Sequence, residues 1–159
     1  MDGRFPYFYL GEGADLRIPG SIAWTGLVST WSGGLKLRTP AGARSCAVAV
    51  EVHRDRPPDR IADYHDVVEC GYRSAIGCPA LLDWSRVALA RLSPLPSGPG
   101  DYRLRYHLRE ARAVPGGGRA AALIQFWSAE LGEPEELKIS GRPGFFWHPA
   151  GTLRRSLEF

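Results

Sequence analysis

Gly100-Asp101-Tyr102-Arg103-Leu104-Arg105-Tyr106-His107-Leu108-Arg109 is the stretch on which the reading of this chain turns. Tyr102, Leu104, Tyr106 and Leu108 alternate without a break with Arg103, Arg105, His107 and Arg109. A strand repeats its side-chain direction every second residue, so this pattern sets the apolar residues on one face and the basic residues on the other. Tyrosine and branched aliphatic residues suit a half-buried pleated surface. Pro94, Pro96, Gly98 and Pro99 stand just before it and cannot continue a ladder, which marks its start. The stretch is predicted to be a central strand of an all-β domain, with its apolar set in the core and Arg105 facing water.

Working outward, turn residues and short apolar runs alternate along the whole chain. Residues 5–10 are aromatic with Pro6 near their start, which predicts a sheet-edge strand, where a missing N–H does least harm. Residues 24–31 and 35–38 are predicted as two strands joined through Ser32-Gly33-Gly34. In 46–52, Cys46, Val48, Val50 and Val52 share one face. The other face holds Ala47, Ala49 and Glu51 and is small enough to predict cover on both sides. A long polar loop, 53–65, precedes a strand over 66–73 in which Val68, Cys70 and Tyr72 point together.

Residues 81–84 and 87–92 are predicted as one bulged strand or two pieces. Residues 120–127 form a further strong strand, with Ala122, Ile124 and Phe126 on one face and Leu123, Gln125 and Trp127 on the other. Residues 134–139 are the one segment predicted to turn helically, with Glu135 and Glu136 suited to a helix N-terminus. Phe145, Phe146 and Trp147 are expected to dock the C-terminal segment. No window carries a helical period. The expectation is one domain, a single antiparallel β-sandwich of about eight or nine strands with little or no helix.

Composition narrows the function classes. The chain has 159 residues, 44% of them hydrophobic, enough for one core. Its 20 basic and 17 acidic residues leave a net charge of only +3, which argues against nucleic acid as the partner. Lys36 and Lys138 are its only lysines; a GC-rich genome accounts for the arginine bias. Three cysteines, Cys46, Cys70 and Cys78, lack CxxC spacing and predict reduced thiols rather than a disulfide or zinc scaffold. No signal-like leader and no run of about 20 apolar residues is present, so a cytoplasmic, membrane-free location is expected.

Chemistry-bearing clusters are sparse. Asp63, His65 and Asp66 bring carboxylates and an imidazole together and are weak candidates for a metal, but no second ligand cluster accompanies them. Cys46 and Cys70 fall on apolar strand faces, which predicts inert core thiols. His148, beside Trp147, is read as structural. No catalytic residue and no cofactor is assigned. The basic set Arg103, Arg105, His107 and Arg109, widened by Arg73 on a neighbouring strand, is the candidate partner-binding face and would attract an acidic protein. Its alternative is a solvated sheet face paired with Glu51 and Glu69.

Residues 66–69, 99–106 and 125–127 resemble segments of a group of uncharacterised actinobacterial proteins of similar length. Trp24, the Leu35-Lys36-Leu37 strand and the Pro99-Gly100-Asp101-Tyr102 start of a strand are, more remotely, similar in order to the competence protein J family. That resemblance implies a nuclease-inhibitor or immunity-like protein that acts by binding, and it implies no catalytic residues. The functional expectation is a non-enzymatic protein-binding module of inhibitor or immunity type. A small-ligand or carbohydrate-binding sandwich is the alternative, motivated by Trp24, Trp31, Trp84, Trp127 and Trp147. A metal-dependent hydrolase using the carboxylates from Asp63 to Glu69 comes third.

Overall fold

A computed structural model describes residues 6–12, 23–24, 26–40, 43–58, 60–110 and 118–141. In chain order its strands are β1 (Tyr7–Gly11), β2 (Ala23–Trp24), β3 (Val28–Trp31), β4 (Gly34–Arg38), β5 (Ser45–His53), β6 (Asp66–Ser74), β7 (Ala80–Leu82), β8 (Ala88–Arg91), β9 (Gly100–Arg109), β10 (Arg119–Ser128) and β11 (Glu135–Ile139). A single 3-10 turn, Ile61–Asp63, is the only helical element among the described residues. The protein is all-β, with two sheets.

The strand predicted over 100–109 is β9, and it is central. It lies between β6 and β10 in a five-stranded sheet of order β11-β6-β9-β10-β5, with Leu104 opposite Cys70 on one side and Phe126 on the other. The other sheet has six strands in the order β2-β3-β4-β1-β7-β8. Side chains from both sheets enter one hydrophobic cluster. Phe8, Leu10, Leu35 and Leu37 come from the six-stranded sheet. Val68, Cys70, Tyr72, Tyr102, Leu104, Tyr106, Leu108, Ile124 and Phe126 come from the five-stranded one. Each large side chain removed from water in this way contributes about 1.5–3 kcal/mol relative to exposure.

Several expectations are corrected. The sheet is not wholly antiparallel, because β5 and β10 run parallel with Val48 opposite Ala122. These strands are joined by a long excursion through other elements rather than a hairpin, so nothing in the connection demands antiparallel pairing. β1 is an interior strand between β4 and β7. Pro6 sits one residue before the ladder and contributes only its carbonyl, which accepts from the Thr39 amide at 2.9 Å. Residues 24–31 divide into β2 and β3, and 81–92 into the β7–β8 hairpin.

Residues 134–139, predicted to turn helically, instead form β11. It pairs with β6 so that Glu135 lies opposite Glu69, the open edge of β6 overriding local preference. On β5, Ala47 and Ala49 are exposed, so that face lacks the predicted cover. The Ser32–Gly33 hairpin turn is as expected, with Gly33 in the left-handed region at φ 78°. Residues 13–22, most of the glycine loop before Gly118, the Phe145-Phe146-Trp147 segment and His148 lie outside the described residues, as does the side chain of Trp24. Among the described residues no helix is long and apolar enough to cross a membrane.

Candidate protein-binding surface

Register places Glu69 of β6, Arg105 of β9, Gln125 of β10 and Glu51 of β5 in one row across the outer face of the five-stranded sheet. Hydrogen bonds join the row as two separate pairs, Arg105 with Glu69 and Gln125 with Glu51. Arg105 donates from Nε and Nη2 to Glu69 Oε2 at 3.2 and 3.1 Å, while Arg103 donates to Oε1 at 3.0 and 2.9 Å. Arg56 reaches the same carboxylate at 3.5 Å. Gln125 Nε2 donates to Glu51 Oε2 at 2.8 Å, and His53 and Arg60 also sit against Glu51. The Arg105 guanidinium lies 5.2 Å from the centre of the Trp127 ring.

The chain between β5 and β6 closes part of this face from above. Tyr64 lies against His107, ring centres 4.9 Å apart, and Arg109 stacks on Tyr64 while donating to the Asp63 carbonyl at 2.8 Å. Lys138 Nζ pins the same segment by donating to the Tyr64 carbonyl at 2.6 Å. His107 Nδ1 donates to the Leu123 carbonyl at 3.4 Å, and burial pushes its pKa down to about 4 against the pull of that bond.

The predicted partner-binding residues are therefore close in space but do not make one open face. Arg105 is 2% exposed and His107 wholly buried, and Arg103 is largely covered. Arg109 and Arg73 are exposed, yet Arg73 is bidentate to Asp101 at 2.7 and 3.1 Å and Arg109 is held to Asp63 and Tyr64. The alternation in β9 dictates which side chains leave the core. It carries no information about a later segment crossing over them.

The weak metal candidates point apart. Asp66 is buried and accepts from the amides of Ser140 and Gly141 at 2.9 and 2.7 Å, and His65 Nδ1 accepts from the Glu110 amide. Asp63 lies 3.7 Å from Arg60. Among the described residues no three His, Cys, Asp or Glu side chains converge as a metal would require. Cys46 and Cys70 are buried, and desolvation pushes their thiols up to about 11 and about 12. Cys78 is exposed. Trp31 and Trp127 are buried, so neither ring is free to stack on a sugar; Trp84 is exposed.

The surface that the sequence reading missed is the β7–β8 hairpin. β8 is the last strand of its sheet, and all four of its residues are exposed. Ile76 at 57%, Trp84 at 48%, Val87 at 61% and Leu89 at 47% expose apolar side chains around it. Its turn is stiff. Asp83 Oδ1 accepts from the Ser85 amide and hydroxyl and from the Val87 amide at 2.7–2.9 Å, and Arg86 sits in the left-handed region at φ 69°. The Ser85 hydroxyl first, and then those amides, hold the Asp83 carboxyl below its usual range.

A groove of about 530 Å³ runs between the hairpin and the 76–79 loop, lined by Ile76, Pro79, Ala80, Leu82, Ala88 and Leu92 and flanked by Arg86 and Arg91. Glu12 secures the loop that forms its wall. Its carboxylate accepts from Ser74 Oγ at 2.5 Å and from the amides of Ala75, Ile76 and Cys78 at 2.6, 2.8 and 3.1 Å. Gly77 is required there: it has φ 76°, and a Cβ would lie 2.8 Å from the Gly98 backbone. One signal in the sequence did mark the hairpin. Val87-Ala88-Leu89-Ala90 is apolar at both parities, which fits either a strand covered on both faces or one exposed at an interface.

The chain matches no family model, no curated protein and no solved structure.

Proposed function

We propose that this protein is a non-enzymatic protein-binding module of inhibitor or immunity type, built as a β-sandwich whose two sheets share one core. The observation that carries it is the exposure of Trp84, Val87 and Leu89 on the β7–β8 hairpin, at the edge of its sheet, and of Ile76 in the loop before it. Contiguous exposed apolar side chains with a polar rim are characteristic of surfaces that another macromolecule covers. Arg86 and Arg91 supply the rim, and they favour an acidic-surfaced partner. The resemblance to the competence protein J family points the same way. A cytoplasmic location belongs to the same proposal and suits two thiols buried in the core.

The test is affinity capture from the source lysate, with the immobilised parent beside a Val87→Ser/Leu89→Ser variant. Recovery of a protein by the parent that the variant loses supports the reading. Recovery of nothing by the parent beyond bare resin overturns it.

A further inference from the structure

We infer that β8 receives an extended segment of the partner as an added strand, apolar along its length and acidic near both ends. This rests on the protein-binding reading above. Among the described residues β8 has a neighbour on one side only, β7, so its other side presents unpaired backbone N–H and C=O groups. An extended peptide satisfies such an edge through main-chain hydrogen bonds and gains specificity from alternate side chains. Those on the Ala88 side would lie beside the groove, which is apolar.

The charges choose the occupant. Arg86, in the turn before β8, and Arg91, its last residue, bracket the strand. Both are exposed, and among the described residues neither guanidinium makes a hydrogen bond or an ion pair. The outer-face arginines, by contrast, all have internal acceptors. A second copy of this chain is a poor occupant. In the antiparallel register centred between Ala88 and Leu89, Arg86 of one copy stands beside Arg91 of the other at both ends, like charge against like. Charged residues and the bulge at Leu89 are devices that blunt an edge against indiscriminate pairing. The exposed side chains of Trp84, Val87 and Leu89 beside them serve no such purpose. A strand with an acidic residue near each end meets both arginines and uses the apolar surface between them.

The probe is a short capped peptide of alternating valine and threonine with an aspartate at each end, followed by fluorescence anisotropy. Controls are the same peptide with lysine ends, and versions N-methylated at each alternate set of amides. The protein is compared with Arg86→Glu/Arg91→Glu, whose folding is checked by circular dichroism. Alkylation of Cys78, the exposed cysteine on the groove, reports where the peptide sits.

The expected result is saturable binding of the aspartate-ended peptide that weakens with salt and is lost on N-methylation of one set of amides. Binding to the double variant should be roughly tenfold weaker, and Cys78 should be protected by the bound peptide. Equal binding of the lysine-ended peptide, indifference to both N-methylation patterns, or no peptide binding at all would overturn the inference. So would dimerisation of the parent in sedimentation that Leu89→Arg abolishes, since a second copy would then hold the edge. A lysate partner captured equally by the parent and by Arg86→Glu/Arg91→Glu overturns strand addition while leaving the protein-binding reading intact.

Discussion

At the centre of the outer face of β9 the charged side chains are inside, and along β8 the apolar side chains are outside. Arg105, His107 and Glu69 are nearly inaccessible to solvent, whereas Val87 and Leu89 are about half exposed or more. Residue polarity alone would have assigned them the other way round. The difference lies in what each region has for neighbours. The face of β9 is crossed by the chain between β5 and β6, which brings Arg56 and Tyr64 over it and is held by Lys138 of β11, while the Glu133 carbonyl, just before β11, accepts from Arg103. A charge enclosed like this must be paired, and Glu69 pairs with both arginines. β8 ends its sheet, and nothing among the described residues pairs with its outer side. The first region is a closed layer whose polar groups serve the fold, while the second spends no polar group on covering its apolar ones.

The sharpest way to break this comparison is to remove the carboxylate at the centre of the closed layer. Glu69→Ala leaves Arg105 buried without its partner, and removing one member of a buried pair costs about 3–5 kcal/mol. Urea denaturation should show that loss. Arg105→Asp is expected to be as damaging as Leu104→Asp, because it sets a second carboxylate against Glu69 in a covered site. The sequence alone had placed Arg105 in water, where the change would be mild. A stable, folded Arg105→Asp protein would show that the outer face is open after all.

A smaller effect separates the regions by pH. His107 is held neutral, with a folded pKa of about 4 against an ordinary value near 6.5 in the unfolded chain. Between those values the unfolded state binds more protons than the folded one, so stability falls as pH drops from 6.5 toward 4, and this contribution levels off below. One group of this kind gives a slope of at most about 1.4 kcal/mol per pH unit. His107→Leu should flatten the dependence of the urea midpoint across that window. An unchanged profile would mean that the imidazole is charged inside the fold, or more exposed than its contacts with Tyr64 and Leu123 imply.

The smallest effect is expected at the open edge. Val87→Ser/Leu89→Ser removes apolar surface that is already in solvent, so the melting temperature should stay near the parent's, within about 0.5 kcal/mol of stability per site. A large destabilisation by differential scanning fluorimetry would mean that these side chains are packed. The contrast between the two regions would then disappear.

How legible this protein was varies along the chain. The β9 ladder was readable because it alternates without interruption, and β6 and β10 because each is a short, apolar-rich run with β-branched and aromatic residues. The core faces of Val68, Cys70 and Tyr72 and of Ala122, Ile124 and Phe126 followed from the two-residue repeat of a strand. β11 was not readable: Glu135-Glu136-Leu137-Lys138 has no strand pattern, and it is a strand because β6 offers it an edge. Glu12 drew no assignment from the sequence. Its four donors come from residues more than sixty positions away, and no local pattern announces such a clamp.

By itself the sequence determined the all-β class, the central position of residues 100–109 and the side chains that meet in the core. Those outcomes depend on local periodicity and breaker residues, which act over a few neighbours. Tertiary structure alone decided that β5 joins β10 in parallel, that most of the basic face of β9 is covered and paired with Glu69, and that β8, with Arg86 before it and Arg91 at its end, has no strand on its outer side among the described residues. Each of these depends on which distant segment arrives beside a strand. A strand's own residues specify what its two faces contain, but whether a face or an edge meets water is settled by the rest of the chain.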